Sequence, residues 1–197
     1  KDTRRMIAYS SGAQIGYIYM GIGLGTEAGM VAAVFHMFTH SATKALLFIS
    51  AVGLYEVSGD KKDFKSLRGA GYRNPLAGIG FTVGALSMVG FPMLSGFISK
   101  LLFATSALNS PHKMMPTLIG LAVSTVLNAI YFLRLVITLY RGGNAPTGKE
   151  MREGKHLQYH PGMLRLAICG FILLNLFLGL QSQPVVRGIA LGLAMFD

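Results

Sequence analysis

The sequence predicts an all-α, polytopic transmembrane helix bundle with one discontinuous helix, and three observations predict it. Only 13% of the 197 residues are charged, against about 25% in a typical soluble domain. The charges are also clustered. Between Met6 and Tyr55 the acidic or basic side chains are Glu27 and Lys44 alone, and between Pro75 and Ala107 there is only Lys100. Stretches this long exceed the roughly 20 apolar residues a membrane helix needs. Finally, basic and bare loops alternate along the chain, as the positive-inside rule requires. The net charge of +10 does not point to nucleic acid, because the basic residues sit in separate loops rather than on one patch.

Five spans fit this pattern. They run from about Met6 to Leu24, Ala28 to Tyr55, Pro75 to Ala107, Met115 to Tyr140 and Met163 to Leu180. A short apolar tail follows Pro184, to reach the surface or lie along it. Lys1, Arg4 and Arg5 precede the first span. Lys61, Lys62, Lys65, Arg68 and Arg73 fill the loop after the second, and Arg141, Lys149, Arg152 and Lys155 the loop after the fourth. Glu27 and Lys113 mark the two bare loops. This alternation puts the N-terminus of the sequence in the cytoplasm and makes the inner (plasma) membrane the expected location. The chain opens on a polar cluster without an initiator methionine or signal peptide, and reads as a fragment of a longer protein.

The third span is too long for one straight crossing. About 33 residues make roughly 50 Å of helix against a hydrocarbon core of about 30 Å. Gly90-Phe91-Pro92 and then Gly96 interrupt it, which predicts a helix broken near mid-membrane, where freed backbone groups face protein or a wet cavity. Gly12 with Gly16, and Gly80 with Gly84, have the spacing of helix-packing contacts.

The ionisable residues inside the spans carry the candidate chemistry. His36, His40 and Lys44 recur every four residues, so they line one stripe of the second helix, with Thr39 and Thr43 beside it. A charge at the bilayer centre costs about 2.5–3.5 kcal/mol on insertion scales, and such residues are usually functional. Lys100 follows the break, between Ser95 and Ser99 on one side and the end of the span on the other. Two readings of Lys100 stand: a proton-accepting amine on a wet path, or a side chain snorkelling to the outer surface. Two unit charges on Lys44 and Lys100 about 10 Å apart would repel by roughly 1.7 kcal/mol at an effective dielectric near 20. Ser10, Ser11 and Gln14 make one side of the first span polar, as Ser124, Asn128 and Tyr131 do for the fourth, where Arg134 is read as snorkelling to the cytoplasmic end. Cys169 lies alone in an apolar stretch, and His36 and His40 lack a neighbouring carboxylate or thiol. No catalytic site, cofactor or metal is therefore expected.

Asp2-Thr3-Arg4-Arg5, Ala8-Tyr9-Ser10-Ser11 and Gln14-Ile15-Gly16-Tyr17 resemble the start of a late span in the antiporter-like membrane subunits. These are the subunits of NADH:quinone oxidoreductase (complex I), Mrp-type cation/proton antiporters and membrane-bound hydrogenases. Phe35-His36-Met37, His40 and Lys44-Ala45-Leu46-Leu47-Phe48 are similar to that family's histidine–histidine–lysine helix. Gly90-Phe91-Pro92, Ser95-Gly96-Phe97 and Ser99-Lys100 are similar to its broken helix. Met93 stands where many members have a second proline. The resemblance covers about residues 1–140 and implies the second of two inverted repeats, with His36, His40 and Lys44 as a proton relay and Lys100 as its terminal site. Residues 141–197 would then supply a basic cytoplasmic loop, the last span and a tail.

The implied partners are the N-terminal half of the same subunit, other membrane subunits of one complex, the lipid bilayer, and H+ with Na+ or K+ as candidate counter-ion. The expected function is proton translocation, in an antiporter or in a redox-driven complex whose catalytic activity lies in other subunits. The alternative is a structural membrane scaffold in which the same side chains only pair with polar groups.

Overall fold

Each predicted span begins or ends where the local chemistry allows a helix to do so. The computed structural model describes residues 2–142 and 161–195; Lys1 and the loop charges Lys149, Arg152 and Lys155 lie outside the described residues. Helix α1 (Thr3–Gly23) is capped by Asp2, whose carboxylate accepts from the Arg4 and Arg5 amides at 2.8 and 3.2 Å. Helix α2 (Glu27–Glu56) starts on a Thr26 cap, 3.1 Å from the Gly29 amide. A four-residue turn, α3 (Ala70–Arg73), leads into α4 (Pro75–Val89), capped by Asn74 with proline at its first position. Helices α5 (Ser95–Leu108), α6 (Pro111–Tyr140), α7 (Pro161–Leu180) and α8 (Ser182–Leu193) complete the described chain. Its only strand-like feature is an isolated bridge between Asp2 and Asp63.

Three of these helices, α2, α6 and α7, are long and apolar enough by themselves to cross a membrane. Helices α4 and α5 are shorter apolar pieces that together make the third span. The chain is thus an all-α transmembrane bundle with one discontinuous helix. At the break, Gly90 turns with φ 93° and closes α4 by donating to the Leu86 and Ser87 carbonyls. Met93 also lies in the left-handed region, at φ 73°. A proline ring fixes φ near −65° and excludes that conformation, so this backbone cannot take a proline at position 93.

Helix α2 is the axis of the bundle, packed by α1, α4, α5, α7 and α8. Its Leu46, Leu47 and Leu54 meet Phe81 and Ala85 of α4, Phe132 and Leu135 of α6, and Ile168 of α7 in one buried core. Gly80 and Gly84 are packing positions as predicted: a Cβ on either would press on α2, on Ser50 or on Leu47. Gly12 and Gly16 meet no helix among the described residues. Both are exposed with nothing within 4 Å, because α1 turns Ser10, Gln14 and Tyr17 inward instead. The predicted tail is a further helix, α8, lying against α2 and α7.

Two loop charges are structural. Lys113 belongs to α6, not to a loop, and donates to the Gly23 carbonyl at 2.8 Å, closing the open end of α1. Arg73 holds the 57–74 loop together through Val57, Ser58, Ser66 and Arg68. That loop meets the N-terminus through the Asp2–Asp63 bridge, and Thr3 donates to the Lys62 carbonyl at 3.0 Å. Asp2, Arg5 and Phe64 share a cleft with Arg134, while Lys65 and Arg68 line a groove with Arg141. The described parts of the three basic regions therefore gather at one end of the bundle.

Candidate functional site

The four-residue spacing in α2 does what it predicts: His36, Lys44 and the half-buried His40 all face the bundle interior. The His36 and His40 rings stack 6.0 Å apart. Tyr17 of α1 and Phe103 of α5 pack edge-on against His36, at 5.3 and 5.4 Å. His36 Nδ1 is hydrogen-bonded to Ser99 Oγ at 2.6 Å, which ties α2 to the residue before Lys100.

The two lysines flank the histidines, and each is held by backbone. Lys44 Nζ donates to the Ile7 carbonyl at 2.6 Å and to Ser10 Oγ, both on α1. Lys100 Nζ donates to the Met88 and Val89 carbonyls at 2.6 and 2.9 Å. These are the last carbonyls of α4, open because the helix breaks there, and a helix C-terminus favours a cation. Lys100 therefore turns back to the break rather than snorkelling outward. An ammonium has three donors. Two of the three are engaged on each lysine by groups among the described residues. His40 lies one helical turn before Lys44 on α2, and both histidines share a cavity with Lys100, so the histidines stand between the lysines along the seam.

A narrow cavity of about 10 Å³ joins the two histidines to Lys100, lined by Gln14, His36, Thr39, His40, Thr43, Ser87, Met88, Gly96 and Lys100. That is room for the centre of roughly one water. Among the described residues His36 Nε2 and His40 Nε2 are buried with no hydrogen-bond partner, an arrangement that calls for a partner such as an ordered water. On the far side of Ser10, a cleft of about 390 Å³ opens between α1 and α6, where Ser124, Asn128 and Tyr131 lie among apolar side chains.

Other predicted residues fall into place differently. Ser95 and Ser99 are fully buried in the polar seam. Ser11 is half-exposed and takes no part in it. Gly96 is not a conformational hinge, since it sits in the first turn of α5. It allows close approach, because a Cβ there would overlap the Ser87 carbonyl. Arg134 is exposed and lines an outer groove with Lys65, Arg68 and Arg141. Sequence reasoning missed Asn175 and Ser87. Asn175 of α7 is fully buried, and its Oδ1 accepts from Thr43 at 2.8 Å and Ser95 at 2.9 Å. Ser87 Oγ lies 3.2 and 3.1 Å from the two hydroxyls and can donate its one proton to either. A polar residue in a long apolar run is a signal only once its neighbours are known.

A helix stripe with two histidines and a lysine, facing a second lysine at a broken helix, is now in view. The family described as NADH:quinone oxidoreductase/Mrp antiporter, TM, matches residues 1–128. The chain belongs to that family. It is 34% identical over 157 residues to NADH-quinone oxidoreductase subunit L of Buchnera aphidicola, covering 79% of this chain and 25% of that protein. It is 32% identical over 189 residues to subunit M of Rickettsia felis, covering 95% and 36%. The fold matches the Mrp complex of Dietzia sp. DQ12-45-1b with a TM-score of 0.81, at 23% identity over 96% of this chain and 42% of that one. The chain thus spans little more than a third, at most, of the length of these curated relatives.

Proposed function

We propose that this chain carries one proton path of a larger antiporter-like subunit, running between Lys44 and Lys100 through His40 and His36. The observation that carries the reading is a pair of histidines set between two lysines: His36 is tied through Nδ1 to Ser99, and both rings keep a buried Nε2 with no hydrogen-bond partner among the described residues. A proton passes from Lys44 to His40, then to His36, and reaches Lys100 by way of water in the shared cavity. Histidine titrates near neutrality without help, which suits it to the middle of such a chain. The cleft beyond Ser10 gives Lys44 a way toward the rest of the subunit. Residues 1–140 hold the path as a repeat, and α7 braces it from outside.

The parent complex is an Mrp-type cation/proton antiporter or a complex I-like or hydrogenase assembly in the inner membrane, with the N-terminus of this chain cytoplasmic. Other membrane subunits are its partners, and Na+ or K+ is the candidate counter-ion. Any redox chemistry belongs to other subunits of the complex.

One observation favours a second reading, a structural scaffold. Both lysines satisfy backbone carbonyls, as a purely structural ammonium would. Proton flux in inverted vesicles carrying the full-length subunit separates the two. The path predicts that Lys44→Ala and Lys100→Ala each lower flux by about tenfold or more, with the complex still assembled. Normal flux in both variants would leave only the scaffold. Sodium-dependent exchange that survives deletion of neighbouring redox subunits would select the antiporter form.

A further inference from the structure

The last span reaches the helix break at two points on one face. Asn175 donates from Nδ2 to the Phe171 carbonyl of its own helix at 3.0 Å, which fixes the amide and aims Oδ1 at Thr43 and Ser95. One turn later, Gly179 lies against the Met93–Leu94 backbone so closely that a Cβ there would overlap the Met93 carbonyl. The groups Asn175 engages are placed for a purpose. Thr43 immediately precedes Lys44. Ser87, within reach of both Thr43 and Ser95 and able to donate its one hydroxyl proton to either, immediately precedes Met88, whose carbonyl holds Lys100. Ser87 Oγ also accepts from the Gly96 amide at 3.2 Å, completing the seam.

We infer that Asn175 is a positioning residue for the proton path: through Thr43, Ser87 and Ser95 it fixes where α2 meets the break, and so where the α4 carbonyls stand against Lys100. The inference deepens the proposed function and rests on it. A fully satisfied buried polar network specifies one arrangement, and a partly satisfied one loses it. If the carbonyls shift, Lys100 keeps or sheds its proton at a different pH. The titratable groups around Lys100 are His36 and His40 of α2 on the shared cavity, with Tyr17 of α1 behind His36. Helix α4 has no charged residue, and the charge on α7 is Arg165, near its start. The α6 charges Lys113 and Arg134 lie at the end of α1 and in the outer groove.

The test is proton flux across a pH series, with the full-length subunit in its intact complex in inverted vesicles. Asn175→Leu should lower flux about fivefold and move the pH of half-maximal flux by about 0.5 unit or more. Thr43→Val combined with Ser95→Ala, which removes both donors and leaves α7 intact, should move it in the same direction. Adding Asn175→Leu to that pair should change little further, as for residues of one network. If Asn175→Leu does not assemble, the Thr43→Val, Ser95→Ala pair decides alone. An unmoved midpoint in the assembled variants overturns the proposal even where flux falls, because α7 then merely packs. Lys100→Ala run alongside tells the two failures apart. Full flux there rejects the proton path itself and this inference with it, whereas blocked flux with an unmoved Asn175 midpoint rejects only the positioning role.

Discussion

Helices α2 and α6 are both 30 residues long and both apolar enough to cross a membrane, yet their ionisable residues face opposite ways. In α2, 56% of the most apolar stretch is buried inside the bundle, against 17% in α6. His36, His40 and Lys44 point into a seam walled by α1, α5 and α7, while Arg134 of α6 lines an outer groove with other basic residues. An intramembrane charge therefore acquires its role from the helices packed around it. Residue type alone would have ranked Arg134 beside Lys44.

The largest expected contrast is in assembly. Gly96→Val drives a side chain into the Ser87 carbonyl and should destabilise the seam by about 3 kcal/mol or more, leaving little assembled protein on an immunoblot of the membranes. Gly120→Val on α6, where nothing among the described residues lies within 4 Å, should leave the level unchanged. Loss of protein in both would erase the distinction between the two helices.

A smaller contrast sharpens the functional side. His40→Phe keeps a ring in place and removes its nitrogens, and should cut proton flux about tenfold. Arg134→Leu should leave flux within about twofold. Equal losses would mean that the outer groove also carries protons.

The smallest effect lies at the basic end of the bundle. Burial alone would raise the Asp63 carboxyl, but hydrogen bonds from the Ser66 hydroxyl and from nearby amides hold it below its usual range. A depressed carboxylate contributes stability that is present above its unfolded value near 4 and lost as pH falls through the folded one. Acid unfolding of the wild type should thus show a small extra loss below about pH 4, absent in Asp63→Asn, as read by melting temperature against pH. An identical acid limb in both would remove the effect.

Much of this arrangement was legible in the sequence because it rests on period and punctuation. Four-residue spacing put His36, His40 and Lys44 on one face without reference to anything else. Gly90-Phe91-Pro92 in an overlong apolar run announced the break. What could not be read depends on neighbours. Gly12 and Gly16 share the spacing of Gly80 and Gly84, but spacing does not record whether another helix lies opposite. Lys100 turned inward because the broken end of α4 offers open carbonyls, a consequence of tertiary position. Asn175 stands alone in an apolar helix, and only the hydroxyls it meets reveal its part.

The central claim is that Lys44 and Lys100 exchange protons rather than merely hold carbonyls, and substitution by arginine tests it most directly. Arginine keeps the positive charge and the donors that cap Ile7, Met88 and Val89, but in proteins it does not give up its proton. In vesicles containing the assembled complex, Lys44→Arg and Lys100→Arg should each block proton flux while protein levels stay normal. Wild-type flux in both arginine variants would contradict the account.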